Sequence, residues 1–513
     1  ILAQGRATAA GLAPWLGETW GTRVSGQTGW QGQIDLETKG ERVRIESDLV
    51  GLASTLPSPL AKAATQPLPL SLVSRPDGEG LQRELRLGRL VGAVWRSTAV
   101  GALERGEIRF GGAPSLPDVP GLRLAGNGRR IDLSGWAALL PAGEGAAAPI
   151  SALDLGFETL DLLGRRYRDV RVLGRTRNGL LRVQVSGQDV NGTLTWRAAG
   201  EAPARLSVQF RQFAVPERVD VASTAGSGFT FPASDFPLLD VAIEDFRMED
   251  RSLGRLEAVA RGTAAGLAIE RLTLTHPDSV FQMSGLWRDS GQGETRAELV
   301  LDVKDAGKLL ARLGYPDTLR HGTGRIQGHA AWEGSPADFA LATLAGQLQF
   351  EARSGQFLQV DPGAAKLLGV LSLQSLPRRL SFDFRDIFSK GFAFDDIGAT
   401  LRIARGVLYS DDLKMRGPSA KVNMSGLADL NQETVQLRVK VIPKLSEGVA
   451  VAGALLGGPV AGVGVLAAQK LLRDPIEEAS SQEYLVSGPW QAPDVKKLPK
   501  TKTDATSDKA SEP

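Results

Sequence analysis

Apolar residues recur at every second position through most of this chain, and no other property narrows its possible folds so far. The alternation runs through Ile34/Leu36, Val43/Ile45, Leu181/Val183/Val185, Leu206/Val208/Phe210, Leu299/Leu301/Val303, Phe382/Phe384 and Val435/Leu437/Val439/Val441, with polar or charged residues between. Strand side chains point alternately to opposite faces, so each segment carries one greasy face and one wet face. Turn chemistry falls where the alternation pauses. Asn178-Gly179 and Asn191-Gly192 bracket LLRVQVSGQDV, as a meander joined by two-residue turns requires, and Asp77-Gly78 and Asn127-Gly128 read the same way. Connections this short leave no room for helical crossovers, which predicts a mostly antiparallel sheet.

The pattern repeats. LDLGFETLDLLGRRYRDV from Leu153 and LDVAIEDFRMEDRSLGRL from Leu239 share their layout, and each leads to a Trp-Arg pair, Trp196-Arg197 and Trp287-Arg288. A third unit is expected from about Gly322, with strands through Phe357. Repeats of this size stack multi-strand units along one continuous apolar face. The expected organisation is β repeats over 1–150, 151–236 and 237–321, then a β region over 322–442, an apolar helical hairpin with a final strand over 443–492, and a disordered polar tail over 493–513. Helices are expected near 56–64 (LPSPLAKAA, a cap or groove lid), from Asp305, and near 362–376, the last followed by Arg378-Arg379.

The chain's 513 residues, 42% of them hydrophobic, can bury a large core, and length alone suggests about three domains. Sixty basic residues against 58 acidic ones, with no basic stripe interleaved with aromatics, exclude a nucleic-acid surface. The lack of cysteine removes disulfides, thiolate metal sites and cysteine nucleophiles. His276, His321 and His329 lack the i, i+4 spacing of a zinc helix, and there is no HExxH, GxSxG or Walker A sequence. Asp395-Asp396 and Asp411-Asp412 are sequence neighbours whose side chains point apart on a strand, the pattern of turns rather than of paired catalytic carboxylates. No enzyme, cofactor or metal is expected. The first residues carry neither an initiator Met nor a signal-like apolar segment, so the chain is expected to begin inside a longer polypeptide.

Between Glu447 and Lys470 lie 22 residues without a charge. As one helix they would reach about 33 Å, close to the hydrocarbon thickness of a bilayer, but Gly457-Gly458-Pro459 cuts them in the middle and predicts two helices of about three turns each. Such a hairpin could lie in a membrane interface, close the end of an apolar cavity, or pack as ordinary core. In the membrane reading Val449, Val451, Leu455, Leu456, Val460, Val463, Val465 and Leu466 enter the interface while Lys470 and Arg473 meet headgroup phosphates. The densest aromatic cluster, Phe382, Phe384, Phe388, Phe392 and Phe394, is either an apolar wall or plain core. With Val183, Val185, Val208, Phe210, Leu437 and Val439, the strand residues Phe382, Phe384, Phe392 and Phe394 are the candidates for lining a groove, and which face turns inward stays open.

Ser47 to Ala64, Leu367 to Ile397, Gly406 to Leu430, Val441 to Leu472 and the Gly-Pro-Trp ending at Trp490 together resemble the AsmA-like proteins of Gram-negative bacteria, most closely the YhdP group. The resemblance implies a mainly β fold: an elongated, twisted antiparallel sheet curled into a hydrophobic groove, a β-taco, with a few short helices and a C-terminal helical hairpin. It implies phospholipid as cargo, carried through the periplasm between inner and outer membranes to maintain the outer-membrane barrier. It further implies an inner-membrane anchor upstream of this chain, the C-terminus facing the outer membrane, and room for a protein partner in either membrane. An outer-membrane protein assembly factor or envelope scaffold is the first alternative, and a carbohydrate-active β-solenoid enzyme the second.

Overall fold

The computed structural model describes residues 1–37, 40–139, 149–217, 236–289, 293–358, 392–444, 481–490 and 493–499. The chain divides into two compact units, Ile1–Leu272 and Thr273–Pro513. In both, strands dominate and helices are short.

The first unit opens with β1 (Leu2–Thr8), the short helices α1 (Ala9–Leu16) and α2 (Glu18–Gly21), and β2 (Val24–Glu37). Strand β2 pairs with β1, with β3 (Gly40–Ser47) and with the three-residue β4 (Leu52–Ser54). From β3 an antiparallel meander runs through β5 (Leu70–Asp77), β6 (Gly80–Leu87), β7 (Val91–Ser97) and β8 (Leu103–Phe110). Strand β9 (Gly121–Asp132) then joins β8 in parallel, and after helix α3 (Leu133–Ala137) strand β10 (Ile150–Leu162) joins β9 in parallel. The meander resumes with β11 (Arg165–Arg177), β12 (Leu180–Ser186), β13 (Val190–Arg197) and β14 (Arg205–Val215). Strand β15 (Leu238–Met248) is again parallel to its predecessor and turns back into β16 (Arg251–Thr263). The division between the units falls inside β17 (Gly266–His276).

In the second unit β18 (Ser279–Arg288), β19 (Glu294–Val303), β20 (Leu319–Glu333), β21 (Ala345–Phe357), β22 (Phe392–Ala404), β23 (Val407–Arg416), β24 (Ala420–Asp429), β25 (Thr434–Pro443), β26 (Gln482–Pro489) and β27 (Asp494–Lys497) each pair antiparallel with the next. Helix α4 (Ala306–Arg312) lies between β19 and β20, its N-cap Asp305 accepting from the Lys308 N–H at 3.1 Å. Buried Asp278 holds this helix to the sheet. It accepts from Arg312 Nε at 3.0 Å and from the Ser279 hydroxyl at 2.7 Å, with His276 Nδ1 at 2.9 Å.

The repeat read in the sequence is a repeat of structure. Each copy starts with a long hairpin, β10–β11 or β15–β16, and in each the Trp-Arg pair closes the fourth strand, β13 or β18. Trp95-Arg96 does the same at the end of β7, the fourth strand from β3 along the pairing order β3–β5–β6–β7.

Several expectations are corrected. Three joints are parallel, and each follows a long connection, 111–120, 133–149 or 216–237, that can carry the chain back along a strand. Residues 56–64 form turns and an isolated bridge instead of a helix, since Pro57 and Pro59 remove helical donors and bias their predecessors away from αR. Lys62 there donates to the Leu49 carbonyl at 2.8 Å. Asn178-Gly179 does make the β11–β12 turn, both residues having φ near +50° to +75°. Asn191-Gly192 instead lies in β13, because the bare Gly192 backbone lets Phe210 approach; a Cβ there would sit 2.5 Å from its Cα. Asn127-Gly128 lies within β9, where Gly128 leaves space for the Phe157 ring. The polar tail is ordered over β27, which takes up the free edge of β26 and sets Val495 beside Val486. The helix expected near 362–376 and the hairpin in 443–492 lie outside the described residues.

Candidate functional site

Register turns the alternation of separate strands into continuous rows. In the first unit one row passes through Ile45, Leu72, Leu85, Ala93, Ile108, Leu124, Leu153, Gly174, Val183, Leu194, Val208, Val241 and Ala258, each paired with the next across neighbouring strands from β3 to β16. Two residues along each strand a second row runs from Leu70 on β5 through Leu87, Val91, Phe110, Gly126, Leu155, Val172, Val185, Gly192, Phe210 and Ile243 to Leu256. Neither contains a polar side chain. Apart from Gly174 and Val183, every residue of the first row is half-buried. An ordinary core would seal such a row. On β12 the residues on the opposite face, Arg182 and Gln184, are exposed and polar.

The sheet is irregular across these rows. Pairing skips Glu158 with Asp169 between β10 and β11, and Arg211 with Glu244 between β14 and β15, without a change of register, and slips by one residue at Arg211 between β13 and β14. The slip is a β-bulge, which bends β14 and creases the sheet there. Along these strands the apolar spacing changes from two to three, giving Phe157/Leu160, Tyr167/Val170 and Phe210/Phe213, all in one cluster. Tyr167 stacks on Phe213 with centroids 6.0 Å apart, and Phe213 on Phe246 at 6.4 Å. Burial, against the pull of nearby Arg165 and with the push of Asp189, raises the Tyr167 phenol to about 12.

A second observation measures the curvature. Six strand steps separate β2 from β9, about 29 Å along a flat sheet. Yet Thr55 N–H donates to the Arg23 carbonyl beside β2 at 2.9 Å, while the Ser58 carbonyl accepts from Asp132 N–H at the end of β9 at 3.3 Å. Three residues span at most about 11 Å, so this margin of the sheet is drawn together. Trp20, just before β2, and Trp136, just after β9, meet with centroids 5.3 Å apart, and Trp136 packs against the inner cluster. The other face of β7–β9 is covered by residues 111–120. There buried Glu107 accepts from Arg109 Nε at 2.7 Å and from the Ser115 N–H at 3.1 Å, with Arg123 at 3.4 Å.

The second unit has the same polarity of faces. Val303, Gly324, Ala352, Ile397, Met415, Val422 and Val441 form one row from β19 to β25, and Met283, Leu299, Gly328, Leu348 and Leu401 another from β18 to β22. The opposite face carries ion pairs such as Arg325 with Asp302 at 2.9 Å and Arg416 with Asp396 at 2.7 Å. On the apolar side a hollow of about 310 Å³ opens among Leu401, Leu408, Leu413, Met424, Leu437 and Trp490.

Of the residues singled out from sequence, Val183 and Val208 share the first row and Val185 and Phe210 the second. Val183 and Val185 are buried; Val208 and Phe210 are half-buried. Phe392, Phe394 and Val439 are buried in one cluster, with Phe394 5.3 Å from the Phe357 ring, while Leu437 borders the hollow. Phe382, Phe384 and the membrane-contact candidates from Val449 to Arg473 lie outside the described residues. Unforeseen were Leu401, Leu408, Leu413, Met424 and Trp490 at the hollow, and the aromatics of the crease; the shift from period two to three at Phe210/Phe213 was the available signal. Among the described residues no group of three or more His, Asp or Glu side chains could hold a metal, and no helix is long and apolar enough to cross a membrane.

The chain is 25% identical over 510 residues to the intermembrane phospholipid transporter YhdP of Escherichia coli (strain K12), an alignment covering 93% of this chain and 39% of that protein. It therefore spans about two fifths of that relative's length. The family model described as YhdP protein matches residues 1–495, and the chain belongs to the YhdP family.

Proposed function

We propose that this chain forms part of a conduit carrying phospholipid across the periplasm between the inner and outer membranes, with acyl tails on the apolar rows and the headgroup in solvent. The observation supporting this most directly is the half-buried row from Ile45 to Ala258, apolar on thirteen successive paired strands. Two sixteen-carbon tails cost about 25 kcal/mol to expose to water, at about 0.8 kcal/mol per methylene. A wall of aliphatic side chains removes most of that cost without bond chemistry, so the chain acts as a surface and not as a catalyst. Anchorage upstream in the inner membrane, and an outer-membrane-facing C-terminal end that includes Val449 to Arg473, belong to the same proposal.

A photoreactive amino acid placed at Leu124 or Val208 on the apolar face, or at Arg123 or Gln209 on the other, tests it in cells. Mass spectrometry of the adducts is expected to find phospholipid at Leu124 and Val208 only. Equal lipid labelling of both faces, or capture of a membrane barrel protein at the apolar positions, would reject the conduit.

A further inference from the structure

Beyond the first row, on the side away from the second, the same face of the first unit carries a third row: Ser74, Arg83, Trp95, Gly106 and Leu122, each paired with the next from β5 to β9. This row is polar in part. Arg83 is the one charged side chain on this face of β5, β6 and β7, and it meets no carboxylate among the described residues. On the opposite face Arg86, Arg96, Arg109 and Arg123 each meet one, Arg96 with Asp77 at 3.0 Å and Arg109 with Glu107 at 2.7 Å. Arg83 Nη1 donates to the hydroxyl of buried Ser97 at 3.3 Å, which steadies the guanidinium from one side. Its Nε and Nη2 have no partner among the described residues and are not closed off by protein. These two nitrogens form one edge of the guanidinium plane and can engage two oxygens of a single anion together.

The fold does not require an arginine here. The same position in the next repeat, opposite Trp196 as Arg83 is opposite Trp95, is Leu181. A cation on an apolar wall is costly unless something answers its charge, and the spacing of the rows shows what could. Arg83 lies two residues from Leu85 of the first row, about 7 Å along the strand. The headgroup layer of one bilayer leaflet is about 5 to 8 Å deep, so a lipid with its phosphate at the third row begins its acyl chains at the first. The margin drawn together through residues 55–58 lies at the other side, beyond the second row.

We propose that Arg83 receives the phosphate of a phospholipid whose tails lie on the first and second rows, so that lipid crosses this part of the sheet with its headgroup along the side of Ser74, Arg83 and Trp95. This rests on the conduit reading and adds to it an orientation of the cargo and a preference for lipid that carries phosphate. Aliphatic rows alone do not distinguish a phospholipid from a diacylglycerol, because both present the same hydrocarbon.

The purified chain is incubated with mixed vesicles of phosphatidylethanolamine and diacylglycerol with the same acyl chains, reisolated, and its bound lipid quantified by mass spectrometry. Arg83→Leu, which installs the residue of the next repeat, is expected to lower the ratio of bound phospholipid to bound diacylglycerol about tenfold, the factor one hydrogen bond to a charged group supplies, while bound diacylglycerol does not fall. Arg83→Gln is expected to do the same. Arg75→Leu, which removes an exposed charge from the opposite face of β5, is expected to leave the native ratio. A native ratio in both Arg83 variants, or an equal fall in Arg75→Leu, would overturn the headgroup site while leaving the conduit intact. So would loss of the native preference in inorganic phosphate but not in chloride of the same ionic strength, which would assign Arg83 to a free anion. Retention of neither lipid would overturn the conduit and the headgroup site together.

Discussion

Val208→Asp is the substitution most informative about lipid passage, because Val208 lies on the long row, between Leu194 and Val241, and is only half-buried, so the fold can accept a carboxyl there. A tail passing this point has two routes. If it displaces water, the carboxyl must be protonated, and at pH 7 that costs about 4 kcal/mol for a group of ordinary pKa near 3.9. If the carboxyl stays ionised and hydrated, the tail loses its contacts with position 208 and with both row neighbours, at about 1 kcal/mol for each half-buried aliphatic side chain, or about 3 kcal/mol. The cheaper route sets the rate, so passage is expected to slow by about two orders of magnitude. Transfer of fluorescent phospholipid from donor to acceptor vesicles by the purified chain reads the rate, with Gln209→Asp on the opposite face as control. Val208→Asp that melts normally and transfers at the native rate would refute the assignment of faces and of the path.

Three further outcomes concern stability. Glu107→Ala strips the shared acceptor from Arg109, Arg123 and the Ser115 N–H; it is expected to destabilise the first unit by about 2 kcal/mol and to speed protease cleavage within 111–120. Burial acts to raise the Asp278 pKa, but hydrogen bonds from Arg312 and Ser279 and the charges of Arg312 and His276 outweigh it and hold it below the ordinary value. Its contribution is therefore present above about pH 4 and lost as pH falls through the lower folded pKa; hydrogen exchange at α4 should rise in that range in the native protein, and Asp278→Asn should show fast exchange already at neutral pH. Tyr167 is the reverse case, its folded pKa of about 12 lying above the ordinary 10, so stability falls between about pH 10 and 12 by up to about 3 kcal/mol, and Tyr167→Phe should flatten that part of the melting profile.

Strand content and the two-faced character were legible because period two is a local property, written into each segment such as Val435 to Val441. Which face belonged with which was not, since register is a relation between strands, and a slip of one residue would exchange the apolar and polar sides. Turn assignment succeeded at Asn178-Gly179, where backbone handedness decides. It failed at Asn191-Gly192 and Asn127-Gly128, where glycine serves instead the close approach of Phe210 and Phe157 from neighbouring strands. The parallel joints were hidden for a related reason, because the length of a connection permits a crossover without requiring one. The hollow at Trp490 depends on pairing slips in β22–β24, which no single segment announces.

The composition of the rows bears on how fast a conduit can work. Successive members are Leu, Ile, Val, Ala, Phe or Gly, so most neighbouring positions differ by one to three methylene equivalents, or about 1 to 2 kcal/mol when fully covered and less when half-buried. Such steps lie close enough to thermal energy that a tail can advance from strand to strand without being trapped. A tightly complementary pocket would add affinity at one place and slow every passage through it. Curvature supplies what flat composition lacks: the joined margin of β2 and β9 draws the sheet around a row that would lie open on a planar sheet, and that row offers water no polar side chain as a partner.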